Sequence, residues 1–150
     1  WSKLGSEFMP PLEEGSILFM PISVPSISIE EAKHVLQQQD AALRRFPEVE
    51  RVFGKAGRAE TATDPAPLSM IETVIMLKPR EAWRQGMTKE RLVAEMEAAV
   101  NFPGFQNAWT MPIKARVDML TTGIRTPIGI KVFGPDLKEI ARIGEELERI

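Results

Sequence analysis

Cysteine and tyrosine are missing from the 150 residues altogether, and histidine occurs once, at position 34. Without cysteine there are neither disulfides nor thiolate metal sites. A zinc site built on the usual Cys and His ligands is excluded too, because one imidazole would have to lean on carboxylates. A thiol-free chain suits an oxidising compartment. No apolar run reaches the roughly 20 residues that a membrane-spanning helix needs, and the start of the chain lacks a signal-peptide pattern, so the piece reads as not membrane-embedded. Blocks of like charge are absent as well: 19 basic and 21 acidic residues interleave to a net charge of -2, which leaves no basic track for a nucleic acid.

Motifs of catalysis are equally scarce. There is no nucleophile elbow, no phosphate-cradling glycine loop and no paired-histidine metalloprotease helix. His34 falls among Lys33 and Gln37 to Gln39 on the polar side of a helical pattern and reads as a solvated surface residue. Carboxylate pairs such as Glu13-Glu14 and Glu145-Glu146 read as exposed charge. The chain is therefore not expected to be an enzyme.

What is present is 43% apolar and 27% charged side chains, the balance of an ordinary globular domain with a sizeable core. The sequence opens at Trp1 and ends at Ile150 inside an amphipathic pattern, and reads as an excerpt of a longer chain. Ser16 to Val24 predicts a strand ending among prolines. Ser28 and Glu31 have the spacing of a capping box, and Ala32, Val35, Leu36, Leu43 and Phe46 recur behind them at helical intervals. Val49 to Lys55 alternates as a strand, Gly54, Gly57, Thr61, Thr63, Asp64, Pro65 and Pro67 mark a loop, and Met70 to Leu77 resumes strand character. Thr88 caps a second helix carrying Leu92, Val93, Met96 and Val100, closed by Pro103-Gly104. Phe105 to Ile113 reads as a last strand.

This order predicts an α+β fold, a ferredoxin-like split βαβ sandwich whose antiparallel sheet carries two helices, over residues 1–115. Residues 116–150 read as the start of a second, truncated subdomain of similar kind. In it a Thr121-Thr122-Gly123 turn leads to a strand over Ile128 to Phe133, then to a helix from Pro135-Asp136 with Leu137, Ile140, Ile143, Leu147 and Ile150 inward.

Methionine is abundant for this length, at eight residues. Its ordinary role is to fill irregular gaps in a core, the expectation for Met76 and Met96. Met20, Met70 and Met119 stand instead at expected element ends: before Pro21, after the Asp64-Pro65-Ala66-Pro67 loop, and before the Thr-Thr-Gly turn.

Three long stretches carry a resemblance: MPPLEEGSILFMP (Met9 to Pro21), VFGKAGRAETATDPAPLSMIE (Val52 to Glu72) and RVDMLTTGIRTPIGIK (Arg116 to Lys131). Together they resemble the periplasmic pore region of heavy-metal efflux transporters of the RND class, copper/silver type. The resemblance implies a proton-driven inner-membrane pump that works as a homotrimer with a periplasmic adaptor and an outer-membrane channel, this region lying in the periplasm. It implies no cofactor, and a transported ion, Cu(I) or Ag(I), held by Met20, Met70 and Met119 in a cleft. Asp64, Glu72, Arg116 and Arg125 match polar cleft positions, with Arg125 where the copper-type pattern has lysine, so that a fork of donors replaces a point charge. Zinc- and cobalt-exporting relatives share the Glu-Thr-Ala-Thr-Asp-Pro stretch and lack this methionine set.

Thioether chemistry fits such a cargo. A soft neutral ligand selects Cu(I), and by extension Ag(I), over Zn(II), and it has no proton to lose on binding. Two other readings stand beside this one: a zinc/cobalt-type exporter, and a ferredoxin-like ligand-sensing or assembly module whose methionines merely pack. Arg116 and Arg125 also admit a purely structural role as ion-pair partners of Asp118 or Glu72.

Overall fold

A computed structural model describes residues 13–57, 66–122, 130 and 132–149. The elements run β1 (Ser16–Phe19), α1 (Ile29–Leu43), β2 (Val49–Ala56), β3 (Ile71–Leu77), α2 (Lys89–Val100), β4 (Trp109–Thr110), α3 (Pro112–Thr122) and α4 (Leu137–Glu148). The four strands form one antiparallel sheet in the order β2-β3-β1-β4. That is the ferredoxin-like order expected of a split βαβ pattern. The chain divides into two compact units, Trp1–Lys114 and Ala115–Ile150.

Helix α1 starts where Ser28 accepts a hydrogen bond from the Glu31 amide, and α2 where Thr88 accepts one from Arg91. Each cap satisfies an amide that has no partner within the helix. The chain leaves α2 through Gly104, whose φ of 84° suits a residue without a Cβ. Ile17, Phe19, Leu43, Val49, Ile75, Leu92, Met96 and Val100 form the core between the helices and one face of the sheet. Trp109 stacks on Phe19 at 4.4 Å and donates its indole N–H to Glu97, while Trp83 donates to the Lys78 carbonyl, and both tryptophans pack against the core.

Where α1 crosses β2, Gly54 makes room. A Cβ there would stand 2.4 Å from Leu36 Cδ1 and 2.7 Å from both Asp40 Oδ2 and Thr73 Oγ1. Asp40 is half-buried at this crossing; desolvation pushes its carboxyl up, against the opposing pull of hydrogen bonds from Thr73 and the Gly54 amide. At the far end of the sheet Glu48 is fully buried and accepts from Arg84 Nε at 2.6 Å, and Arg84 reaches on to Glu95 in α2. The guanidinium hydrogen bonds hold the Glu48 carboxyl below its ordinary range.

Several expectations need correction. Gln39 is fully buried, because position 39 continues the stripe of Ala32, Val35 and Leu43 at helical spacing. Met76 is 47% exposed, since it lies on the face of β3 away from the helices. The last strand does not run to Ile113. Its regular part is Trp109–Thr110, and Pro112 opens α3, a position where proline's missing N–H costs nothing. The Glu14 carboxylate accepts from the Ile113 and Lys114 amides at 2.8 and 3.0 Å, satisfying that helix end from 99 residues away.

In the second unit α3 continues through Thr121 and Thr122, where a turn was expected. The strand expected over Ile128 to Phe133 falls partly outside the described residues. Those of its residues that are described, Ile130, Val132 and Phe133, join no ladder. Among the described residues of this unit there is no strand to take their hydrogen bonds, and an unpaired strand leaves its backbone groups unsatisfied. Helix α4 begins where Asp136 accepts from the Lys138 amide. Among the described residues no helix is long and apolar enough to cross a membrane.

Candidate metal site

The β1–β3 ladder outlasts the regular strands. Phe19 pairs with Thr73, Ile71 donates to the Pro21 carbonyl at 3.1 Å, Ile22 bridges Met70, and Ser23 donates to the Ser69 carbonyl at 2.9 Å. Every one of these pairs keeps a single register, which puts Met20 opposite Glu72. On the other side of β1, Met20 and Ala108 exchange both backbone bonds, as do Ile22 and Gln106. Beyond β3, Lys55 pairs with Glu72, and Gly57 donates to the Met70 carbonyl. Two neighbouring rows thus cross the sheet: Ala108, Met20, Glu72, Lys55, and then Gln106, Ile22, Met70, Gly57.

Alternation decides which way these rows face. Phe19, Ile71 and Thr73 are wholly buried, Phe19 within the helix-side core and Thr73 hydrogen-bonded to Asp40 of α1, so Met20, Ile22, Met70, Glu72 and Lys55 belong to the opposite face. Met20 and Met70, fifty positions apart in the chain, are there diagonal cross-strand neighbours, a relation that holds Cβ atoms at roughly 7–8 Å or less. A methionine has three flexible torsions beyond its backbone, so two sulfurs on such a diagonal can turn toward one ion. Both residues are buried, at 3% and 9% exposure, yet neither belongs to the helix-side core.

Other methionines are otherwise engaged. Met96 is in the core and Met87 packs against it, Met111 accepts a hydrogen bond from the Lys89 ammonium at 3.0 Å, and Met76 faces solvent. Met9 lies outside the described residues. Met119, expected at a loop edge, stands inside α3 and is 41% exposed. It belongs to the second unit, with Arg116 three residues before it and therefore adjacent on the helix surface.

Of the four polar positions that the resemblance marks, Glu72 stands on the same face as Met20 and Met70, and Arg116 is exposed on α3. Asp64 and Arg125 lie outside the described residues. The ion-pair reading of Arg116 with Asp118 does not suit a helix, where residues two apart do not face each other, and Asp118 is buried. Glu72 has a cation partner that the sequence reading missed: Lys55 Nζ lies 3.0 Å from its carboxylate. Only the β2–β3 register reveals that pair, for the two residues are distant in sequence and nothing local signals it.

The sheet order and the two helices on one face define a ferredoxin-like α+β subdomain, with Met20 and Met70 on the face away from the helices. A family model, AcrB/AcrD/AcrF, matches residues 1–150, and the chain belongs to this family of RND efflux transporters. It is 50% identical over 149 residues to the cation efflux system protein CusA of Escherichia coli (strain K12) and 48% identical to the putative cation efflux system protein SilA of Salmonella typhimurium. The cobalt-zinc-cadmium resistance protein CzcA of Cupriavidus metallidurans is 32% identical over 152 residues. These alignments cover 99% of this chain and 14% of each relative, so the chain spans about one seventh of their length. The crystal structure of a heavy metal efflux pump superposes with a TM-score of 0.87 at 33% identity, over 99% of this chain and 16% of that one.

Proposed function

We propose that this region is the periplasmic capture site of a proton-driven Cu(I)/Ag(I) efflux pump of the inner membrane, working as a homotrimer with an adaptor and an outer-membrane channel. The cargo ion binds to the thioethers of Met20, Met70 and Met119. Asp64, Glu72, Arg116 and Arg125 set the polarity around it. One observation carries the reading: the sheet register brings Met20 and Met70, distant in sequence, to diagonal positions on the face away from the core.

Physical chemistry explains why that arrangement suits the task. Neutral sulfurs hold a soft monovalent ion without proton competition, so capture persists as the periplasm follows the pH of the medium. They also hold it less tenaciously than thiolates would, and an exporter must release what it captures. Greater identity to cation efflux proteins CusA and SilA than to the cobalt-zinc-cadmium protein supports the copper/silver type.

The test is a competition titration of the full-length protein against a Cu(I) chelator, repeated with Ag(I). One ion is expected per chain, with affinity falling at least about tenfold in Met70→Leu and Met119→Leu, since each removes one of three soft ligands. Unchanged affinity in both variants would return these residues to a packing role.

A further inference from the structure

We propose that Lys55 is a selectivity residue of this site: its ammonium neutralises Glu72 and so keeps divalent ions from using that carboxylate beside the thioethers. The inference deepens the capture reading and rests on it.

Three observations place Lys55 there. Its ammonium stands 3.0 Å from the Glu72 carboxylate, and both side chains are partly withdrawn from solvent, at 34% and 24% exposure. Glu72 stands opposite Met20 in a pair that exchanges no backbone bonds, the kind in which facing side chains come closest. Glu72 also follows Met70 by two positions along β3, on the same face. A carboxylate so placed would complete a mixed oxygen and sulfur set.

Such a set is a poor choice for a soft monovalent exporter. Carboxylate oxygen is a good ligand for Zn(II) and a poor one for Cu(I) or Ag(I). An ammonium paired with that oxygen competes with a metal ion for it and offsets its charge, which leaves the two thioethers as the better ligands. Charge adds a second discrimination, because Coulomb energy scales with the product of the charges. The fixed positive charge of Lys55 repels a divalent ion twice as strongly as a monovalent one at the same distance. Glu72 in turn keeps the lysine in place.

Separate Zn(II) and Ag(I) competition titrations of the full-length protein test this. Lys55→Met and Lys55→Gln should each raise Zn(II) affinity by about tenfold or more, the order expected for removing a cation next to a partly buried ligand, while Ag(I) affinity changes by less than about threefold. Lys55→Arg, which keeps the charge, should retain the original preference. Adding Glu72→Gln to Lys55→Met should abolish the gain in Zn(II) affinity. Unchanged Zn(II) binding in folded Lys55→Met and Lys55→Gln, or a gain that survives Glu72→Gln, would overturn the assignment. Failure of the capture reading has a different signature: Ag(I) binding that is indifferent to Met20→Leu and Met70→Leu, whatever Lys55 does.

Discussion

The two faces of the sheet put the same residue type to different use. On the helix side Met96 is wholly buried among Phe19, Ile75, Leu92 and Val100, where a flexible apolar chain fills space. On the other side Met20 and Met70 are nearly as buried but flank Glu72, which is paired with Lys55. The neighbours of Met96 are apolar, whereas Met20 and Met70 share their face with the Lys55-Glu72 ion pair. The difference teaches that burial alone does not assign a methionine. Its neighbours across the sheet do.

Substitutions on the two faces should therefore separate stability from binding. The largest loss of stability is expected from Phe19→Ala, about 3–5 kcal/mol by urea denaturation, since the ring is fully buried and stacked on Trp109. Next comes Gly54→Ala, about 1–3 kcal/mol, because the added methyl would meet Leu36, Asp40 and Thr73 at once. A Gly54→Ala protein as stable as the parent would show that α1 can lift from β2 freely.

Glu48→Gln should show its effect through pH. The Glu48 carboxyl is held below its ordinary value of roughly 4.3, so its stabilising pairing with Arg84 is complete above that value and is lost as pH falls through the depressed one. Thermal unfolding should find the variant less stable than the parent near neutrality, with the gap closing in acid. A constant gap across that range would assign the effect to packing instead. The smallest stability change is expected from Met70→Leu, under about 1.5 kcal/mol because volume is conserved, although it should weaken Ag(I) binding severely.

Much of this architecture was legible along the chain. Ser28 and Thr88 cap their helices as the spacing implied, and the alternation in β1 to β3 gave the ferredoxin-like order. The misses share a cause, dependence on distant partners. Helix α3 is closed at its start by Glu14, which no local pattern reveals, so Pro112 read as the end of a strand rather than the opening of a helix. Gln39 is buried because its position on the stripe overrides its polarity, and among the described residues neither amide atom finds a partner. Met20 and Met70 were singled out from their place at strand ends and from family resemblance. Their common face and the Lys55-Glu72 pair required the register.

X-ray absorption on the Cu(I)-loaded full-length protein tests the central claim most directly. The account predicts a nearest shell of sulfur alone, with one scatterer fewer in Met70→Leu. A shell of nitrogen or oxygen, or a sulfur shell unchanged by that substitution, would contradict it.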